Sequence, residues 1–295
     1  MRRPSRLLAS AAGSITTASA DFECSVDAMD AGIAKLTNDL GEPTMASQAA
    51  LAVCMLCESG ELPSGVLSLV TPLVTCLSAD DASVQQNSLS ALSGLCAMVP
   101  GGREAVVVHG AVPKLVAFLA EDTPAAVRLN ALEAVGMLSA AAMGLDALLL
   151  NDAHLTVLRL LADPSLLNEK EREAAGDVLC SLSSEVAGRS ALIDAGAVHT
   201  IVALLHHTDG ELRVRGMLSL GMLCGDSRAA QQLVSDGDAM RRLRALAGGS
   251  MSQTGGNGAG DSDEAMIAAD VLSTLLRDPV LGQAAASAAD VATVS

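Results

Sequence analysis

The phrase "VRLNALEAVGMLS" from Val127 recurs along this chain at a nearly constant spacing, and that recurrence limits the fold more than any single motif does. Clear copies are "VQQNSLSALSGLC" from Val84, "KEREAAGDVLCSLS" from Lys170 and "LRVRGMLSLGMLC" from Leu212; weaker ones are "MASQAALAVCMLC" from Met45 and "EAMIAADVLSTLL" from Glu264. Aligned on the last core leucine, the copies fall at Leu56, Leu95, Leu138, Leu182, Leu223 and Leu275, at intervals of 39, 43, 44, 41 and 52. A second phrase, "GAVPKLVAFL" from Gly110 and "GAVHTIVALL" from Gly196, supplies an independent register. Its anchors Leu77, Leu119, Leu161 and Leu205 are 42, 42 and 44 residues apart. Two registers agreeing on a period near 42 residues predict modules that stack on one another.

Each phrase has helical spacing. Positions −6, −3 and 0 from the anchor read Ala50/Val53/Leu56, Leu89/Leu92/Leu95, Leu132/Val135/Leu138, Gly176/Leu179/Leu182, Met217/Leu220/Leu223 and Ala269/Leu272/Leu275. Only Gly176 interrupts the apolar column, so one side of each helix is expected to face a core. The shorter phrase repeats the pattern four residues before its anchor, with Leu73, Leu115, Val157, Ile201 and, one module later, Leu243. Punctuation fits helices as well. Gly110 suits a left-handed helix end and Pro113 the next helix start. Thr123-Pro124 reads as an N-cap with a first-turn proline, and Asp261 with Glu264 has capping-box spacing. No segment alternates as a strand between hairpin turns. The expected fold class is all-α and repetitive.

Composition narrows the function classes. Half of the 295 residues are hydrophobic, yet the chain has two Phe and no Tyr or Trp. A core of Ala, Leu, Val and Met suits thin, closely spaced helix layers better than a compact enzyme core with aromatic bulk. The net charge of −16 repels nucleic-acid phosphates and anionic lipid, so basic protein segments are the natural electrostatic partners and no nucleic acid is expected. No apolar run reaches the roughly 18 residues that cross a membrane, so no membrane insertion is expected. Seven scattered cysteines, an odd number, argue against a disulfide framework and for a reducing compartment, with the cytoplasm as the first choice. Residues 1–20 carry Arg2, Arg3 and Arg6 and no acid. They read as a targeting peptide for a mitochondrion or plastid, as a disordered tail, or, with Ala18-Ser19-Ala20, as a secretory signal.

No residue pattern calls for catalysis, and no catalytic, metal or cofactor residues are assigned. "CMLC" at Cys54–Cys57 looks like a thiol or zinc motif but falls on two columns of small residues. Cys57 shares its column with Cys96, Ser139, Ser183, Cys224 and Leu276; Cys54 shares its own with Ser93, Gly136, Cys180, Gly221 and Ser273. Small side chains there let helices approach closely, and a buried cysteine behaves as a small hydrophobe. His109, His154 and His199 lie in different modules, and His206-His207 precedes a turn at Asp209-Gly210. "GGNGAG" at Gly255 lacks the Lys-Ser/Thr of a phosphate loop and a preceding strand.

A short helix, the "GAVPKLVAFL" junction helix and a longer "VRLNALEAVGMLS" helix together resemble armadillo repeats from about Asp21 to Gly282, most closely from Gln85 to Leu246. HEAT repeats are the nearest confusion. The resemblance implies an armadillo-type right-handed α-α superhelix of about six three-helix units, with third helices lining a groove. On that reading residues 21–282 form the solenoid, with a flexible Gly/Ser insertion at 248–260 and an Ala-rich tail at 283–295. The groove face would be built from positions −8, −5 and −1 of each third helix, which share one side of a helix. Its central residues are Asn87, Ser90, Asn130, Glu133, Met137, Asp177, Ser181, Arg215, Leu218 and Met222. Importin-α-type members hold peptides with Trp at −5 and Asn at −1, and no copy here has either. The chain is therefore expected to be a non-enzymatic scaffold or adaptor whose acidic, Met-bearing groove takes a protein segment with basic and aliphatic residues. The alternative is an Hsp70 nucleotide-exchange cofactor of armadillo-like fold.

Overall fold

The computed structural model describes residues 26–60, 62–63, 65–248 and 260–277. Apart from Gly248 and Gly260, the expected insertion at 248–260 lies outside them, as do residues 1–20 and 283–295. All regular structure among the described residues is helical, and it divides into two compact units, one ending at Asn151 and one starting at Asp152.

The first unit contains α1 (Val26–Gly41), α2 (Ala46–Ser59), a 3-10 turn (Val66–Leu69), α3 (Val70–Cys76) and α4 (Ala82–Met98). It continues with α5 (Gly102–Val108), α6 (Val112–Ala117), α7 (Ala125–Ser139) and α8 (Ala142–Leu150). The second contains α9 (Ala153–Ala162), α10 (Glu169–Ser184), α11 (Val186–Asp194), α12 (Ala197–Leu204) and α13 (Gly210–Leu223). It ends with α14 (Ser227–Ser235), α15 (Gly237–Ala247) and α16 (Gly260–Leu276). The three-helix unit implied by the resemblance is complete in α5–α6–α7, α11–α12–α13 and α14–α15–α16. The module that ends in α4 has only the 3-10 turn in place of its first helix, which accounts for its short interval.

Third helices pack directly on one another, α2 on α4 and α4 on α7 in the first unit, and α10 on α13 and α13 on α16 in the second. All six anchor leucines are buried, and so are Leu77, Leu119, Leu161 and Leu205 of the second register. A third helix with neighbours on both sides buries two stripes. In α4, between α2 and α7, these are Val84, Ser88 and Ala91 on one side and Leu89, Leu92 and Cys96 on the other, meeting at Leu95. Truncating any one of these leucines to alanine costs about 2–5 kcal/mol, because a layered core cannot collapse around the gap.

The last helix departs from the expected column. In α16 only Leu275 of Ala269/Leu272/Leu275 is buried; the buried stripe is Glu264, Ala268, Val271 and Leu275. Ala269 is exposed, Leu272 half-buried and Leu276 is 56% exposed. Their counterparts in α13, Met217, Leu220 and Cys224, are covered. In α13 the −6, −3 and +1 positions thus face the following module, and among the described residues no helix follows α16.

Turns and caps follow local chemistry. Gly110 sits at φ 75° and closes α5 with two bonds, Gly110 N–H to the Val107 carbonyl at 3.0 Å and Ala111 N–H to the Val106 carbonyl at 3.2 Å. This pair of hydrogen bonds satisfies carbonyls that the helix end leaves open. Gly196 takes the same conformation at φ 76°, and the equivalent position in the intervening module is Asp152 at φ 58°. Thr123 does not cap α7; Pro124 is the N-cap residue, in extended conformation, and no side chain caps the helix. The loop is tied instead by Arg128, whose Nη1 donates to the carbonyls of Ala120, Glu121 and Thr123. Position −10 repeats that role: Gln85 donates to Ala79 O, Arg172 to Leu167 O, and Arg213 to His207 O and Thr208 O. Asp261 lies inside α16 and not ahead of it, and the Glu264 carboxylate takes both Nε and Nη2 of Arg213, at 3.1 and 2.6 Å.

Candidate protein-binding face

Positions −8, −5 and −1 of each third helix lie on its solvent-facing side, and none of these residues is buried. In the first unit the face carries Gln48, Leu51 and Met55 of α2, Asn87, Ser90 and Gly94 of α4, and Asn130, Glu133 and Met137 of α7. Leu51, Met55, Glu133 and Met137 are exposed. In the second unit it carries Ala174, Asp177 and Ser181 of α10, Arg215, Leu218 and Met222 of α13, and Ile267, Asp270 and Thr274 of α16. Here Asp177, Leu218 and Asp270 are exposed, while Ser181 and Met222 are half-buried.

Within each unit the three rows do different work. The −8 side chains turn toward the preceding third helix. Asn87 Nδ2 donates to Ser47 O at 3.1 Å and to Ser47 Oγ at 3.0 Å; Asn130 Nδ2 donates to Gln86 O at 2.9 Å. Arg215 reaches the corresponding residue of α10, Glu173, at 3.1 Å, and also pairs with Asp177 at 2.6 Å and Glu211 at 3.0 Å. Burial opposes the charge of Arg215, but the hydrogen bonds to Asp177 and Glu211 and the nearby carboxylates outweigh it and raise its pKa. Asn87, Asn130 and Arg215 of the −8 row therefore join modules, whereas Leu51, Met55, Met137 and Leu218 of the −5 and −1 rows are apolar and exposed. Sequence spacing could group the three rows on one face but could not separate a lock from a contact surface.

The cysteines serve packing in both columns. A Cβ on Gly94 would lie 2.8 Å from Cys57 Cβ and 3.0 Å from its Sγ, so adjacent helices meet there because one residue is glycine and the other small. Cys54 Sγ lies 3.2 Å from Ser90 Oγ, and Cys180 Sγ lies 3.3 Å from Arg215 O and 3.4 Å from Ser219 Oγ. Burial pushes the thiols of Cys57 up to about 11 and of Cys96 and Cys224 up to about 12, which keeps them protonated and poor nucleophiles.

The histidines stay separate. His109 Nδ1 is 3.0 Å from Thr71 Oγ1, His206 Nε2 is 3.3 Å from Asp238 Oδ2, and His207 Nδ1 accepts from the Asp209 amide. Among the described residues no three His, Cys, Asp or Glu side chains converge as metal ligands, and no helix is long and apolar enough to cross a membrane.

No model of a known protein family matches the chain, and no curated protein matches it in sequence. Solved structures do match. A computationally designed armadillo repeat protein for modular peptide recognition superposes with a TM-score of 0.70 at 19% identity, covering 82% of this chain and 99% of that one. A second designed armadillo repeat protein gives 0.68 at 20% identity over 82% and 99%. A third, in complex with the peptide (KR)4, gives 0.66 at 19% identity over 81% and 98%. With the modules, registers and buried anchors described above, these likenesses identify the protein as an all-α repeat protein of the armadillo-type fold.

Proposed function

We propose that this protein is a binding scaffold that holds a segment of another protein against the solvent-facing −5 and −1 rows of its third helices. One observation carries the reading: those rows keep Leu51, Met55, Met137 and Leu218 exposed on helices whose −6, −3 and 0 positions are all buried. Exposed apolar side chains that recur at one register position mark a contact surface more than scattered ones do. Methionine adapts to varied partner shapes. Glu133, Asp177 and Asp270 in the −5 row add negative charge, and the chain is strongly acidic overall, so a segment with basic and aliphatic residues suits the face. The likeness to designed proteins made for peptide recognition, one of them holding an alternating Lys-Arg peptide, supports the same use of the fold.

The test begins with proximity labelling to obtain a partner, followed by affinity measurements on purified proteins. Glu133→Arg combined with Met137→Ala is expected to weaken that partner by about ten-fold or more. Val186→Ala, at an exposed first-helix residue off the face, is expected to leave binding unchanged. Full affinity in the Glu133/Met137 variant would contradict the reading while leaving the fold intact.

A further inference from the structure

In the second unit the face contains a cation of its own. Arg215 rises from α13 and lies over Gly176 of α10, where its stem occupies the volume that a side chain would need: a Cβ on Gly176 would be 2.5 Å from Arg215 Cδ. Its guanidinium meets carboxylates from two helices, Asp177 and Glu173 of α10 and Glu211 of α13. The arginine side chain is only 13% exposed, whereas Glu173, Asp177 and Glu211 are 55%, 63% and 75% exposed. A guanidinium with five donors suits such an arrangement, and the glycine beneath it fixes where the stem runs. The other polar members of the −8 row in α4 and α7, Asn87 and Asn130, are neutral and make no such pairs.

We infer that Arg215 sets the charge selectivity of the α10–α13 stretch of the face. It holds the place that a cationic side chain of a bound segment would otherwise take. A lysine or arginine of the partner approaching Asp177 meets both a carboxylate already engaged and the positive charge that engages it. The pull on a cationic side chain is therefore weakened over this stretch, where Leu218 offers an exposed apolar contact instead. Specificity here comes from a built-in repulsion as much as from an attraction. The inference rests on the proposed binding face, but the two are tested with different probes.

The probe is a fluorescently labelled (Lys-Arg)4 peptide, titrated into the full-length wild-type protein and three variants. Arg215→Ala opens the slot, and alanine already stands at this register position in α10 as Ala174. Arg215→Asn copies the Asn87 and Asn130 arrangement and decides the matter if the alanine variant does not fold. Arg228→Ala removes one positive charge from α14, off the face, where Arg228 pairs with Asp194 and Asp226. Arg215→Ala and Arg215→Asn are expected to bind the peptide about ten-fold or more tightly than wild type. Arg228→Ala should stay close to wild type, and adding Glu173→Gln with Asp177→Asn to Arg215→Ala should abolish the gain. Equal affinity of folded Arg215 variants and wild type would overturn the inference, and so would an equal gain in Arg228→Ala. The broader reading fails instead if the natural partner ignores Glu133 and Met137 in the other unit.

Discussion

Gly176, the only glycine in the −6 column, is the floor beneath Arg215, the only arginine in the −8 row: a Cβ at Gly176 would stand 2.5 Å from Arg215 Cδ and 3.2 Å from its Cβ. The break in the apolar column is thus explained by the neighbouring module and not by the helix that contains it. On an isolated helix, glycine to alanine would gain about 1 kcal/mol. Here the added methyl must displace a stem held by three carboxylates. Gly176→Ala is expected to lower stability by about 1–3 kcal/mol in denaturant unfolding; a stabilised variant would contradict the packing.

The left-handed junction residues should respond to substitution with opposite signs. Gly110 and Gly196 have positive φ and open space around them, so a side chain meets no clash but strains the backbone. Gly110→Ala and Gly196→Ala should each cost about 1 kcal/mol. Asp152 already bears that strain, and Asp152→Gly should be neutral or raise the melting temperature. Matching losses at all three sites would show that the junctions are not equivalent.

Glu264 links α16 to α13 through Arg213, with both side chains mostly buried. Breaking one partner leaves a poorly hydrated charge. Glu264→Gln is expected to destabilise the protein by about 1–2 kcal/mol and to speed amide exchange in α16 before it does so in α10. Uniform exchange across both helices would contradict this link.

His154 adds an acid sensitivity. Its Nδ1 is buried without a partner, and burial holds its pKa below the usual histidine value despite the nearby Asp152. The unfolded chain therefore binds a proton more readily than the folded one. The contribution of His154 is fully present above its unfolded pKa, about 6.5, and is lost as pH falls below it. His154→Leu should flatten the fall in melting temperature between about pH 7 and pH 5. An unchanged slope would assign the acid sensitivity elsewhere.

Much of the architecture was legible in the sequence because a repeated module reports its core several times. Leu95, Leu138, Leu182 and Leu223 mark the same buried spot in four contexts, and Gly110 shows its turn directly. Features that depend on the next module were harder to see. Position −10 repeats an arginine in Arg128, Arg172 and Arg213, yet only the structure shows it tying down the loop before each third helix. Asn168 and Glu171 form a reciprocal capping box at the start of α10, where the repeat pattern gives no sign of one. At Glu264 the same spacing suggested a cap, but the largely covered Arg213 of α13 pairs with that carboxylate. The column in α16 slipped by one residue because this helix has described neighbours on the side of its preceding module only. On the candidate face, spacing grouped three rows of which no residue is buried. It could not show that Asn87, Asn130 and Arg215 turn their polar groups to the previous module.

The most direct measurement places a photo-reactive amino acid at Met137 and at Leu218, one on each unit's face, and at Val186 and Leu150, exposed residues of first helices. Each purified variant is irradiated with the partner obtained by proximity labelling, and the adducts are mapped by mass spectrometry. The expected result is cross-links to the partner from positions 137 and 218 and none from 186 and 150. Cross-links confined to positions 186 and 150 would contradict the account.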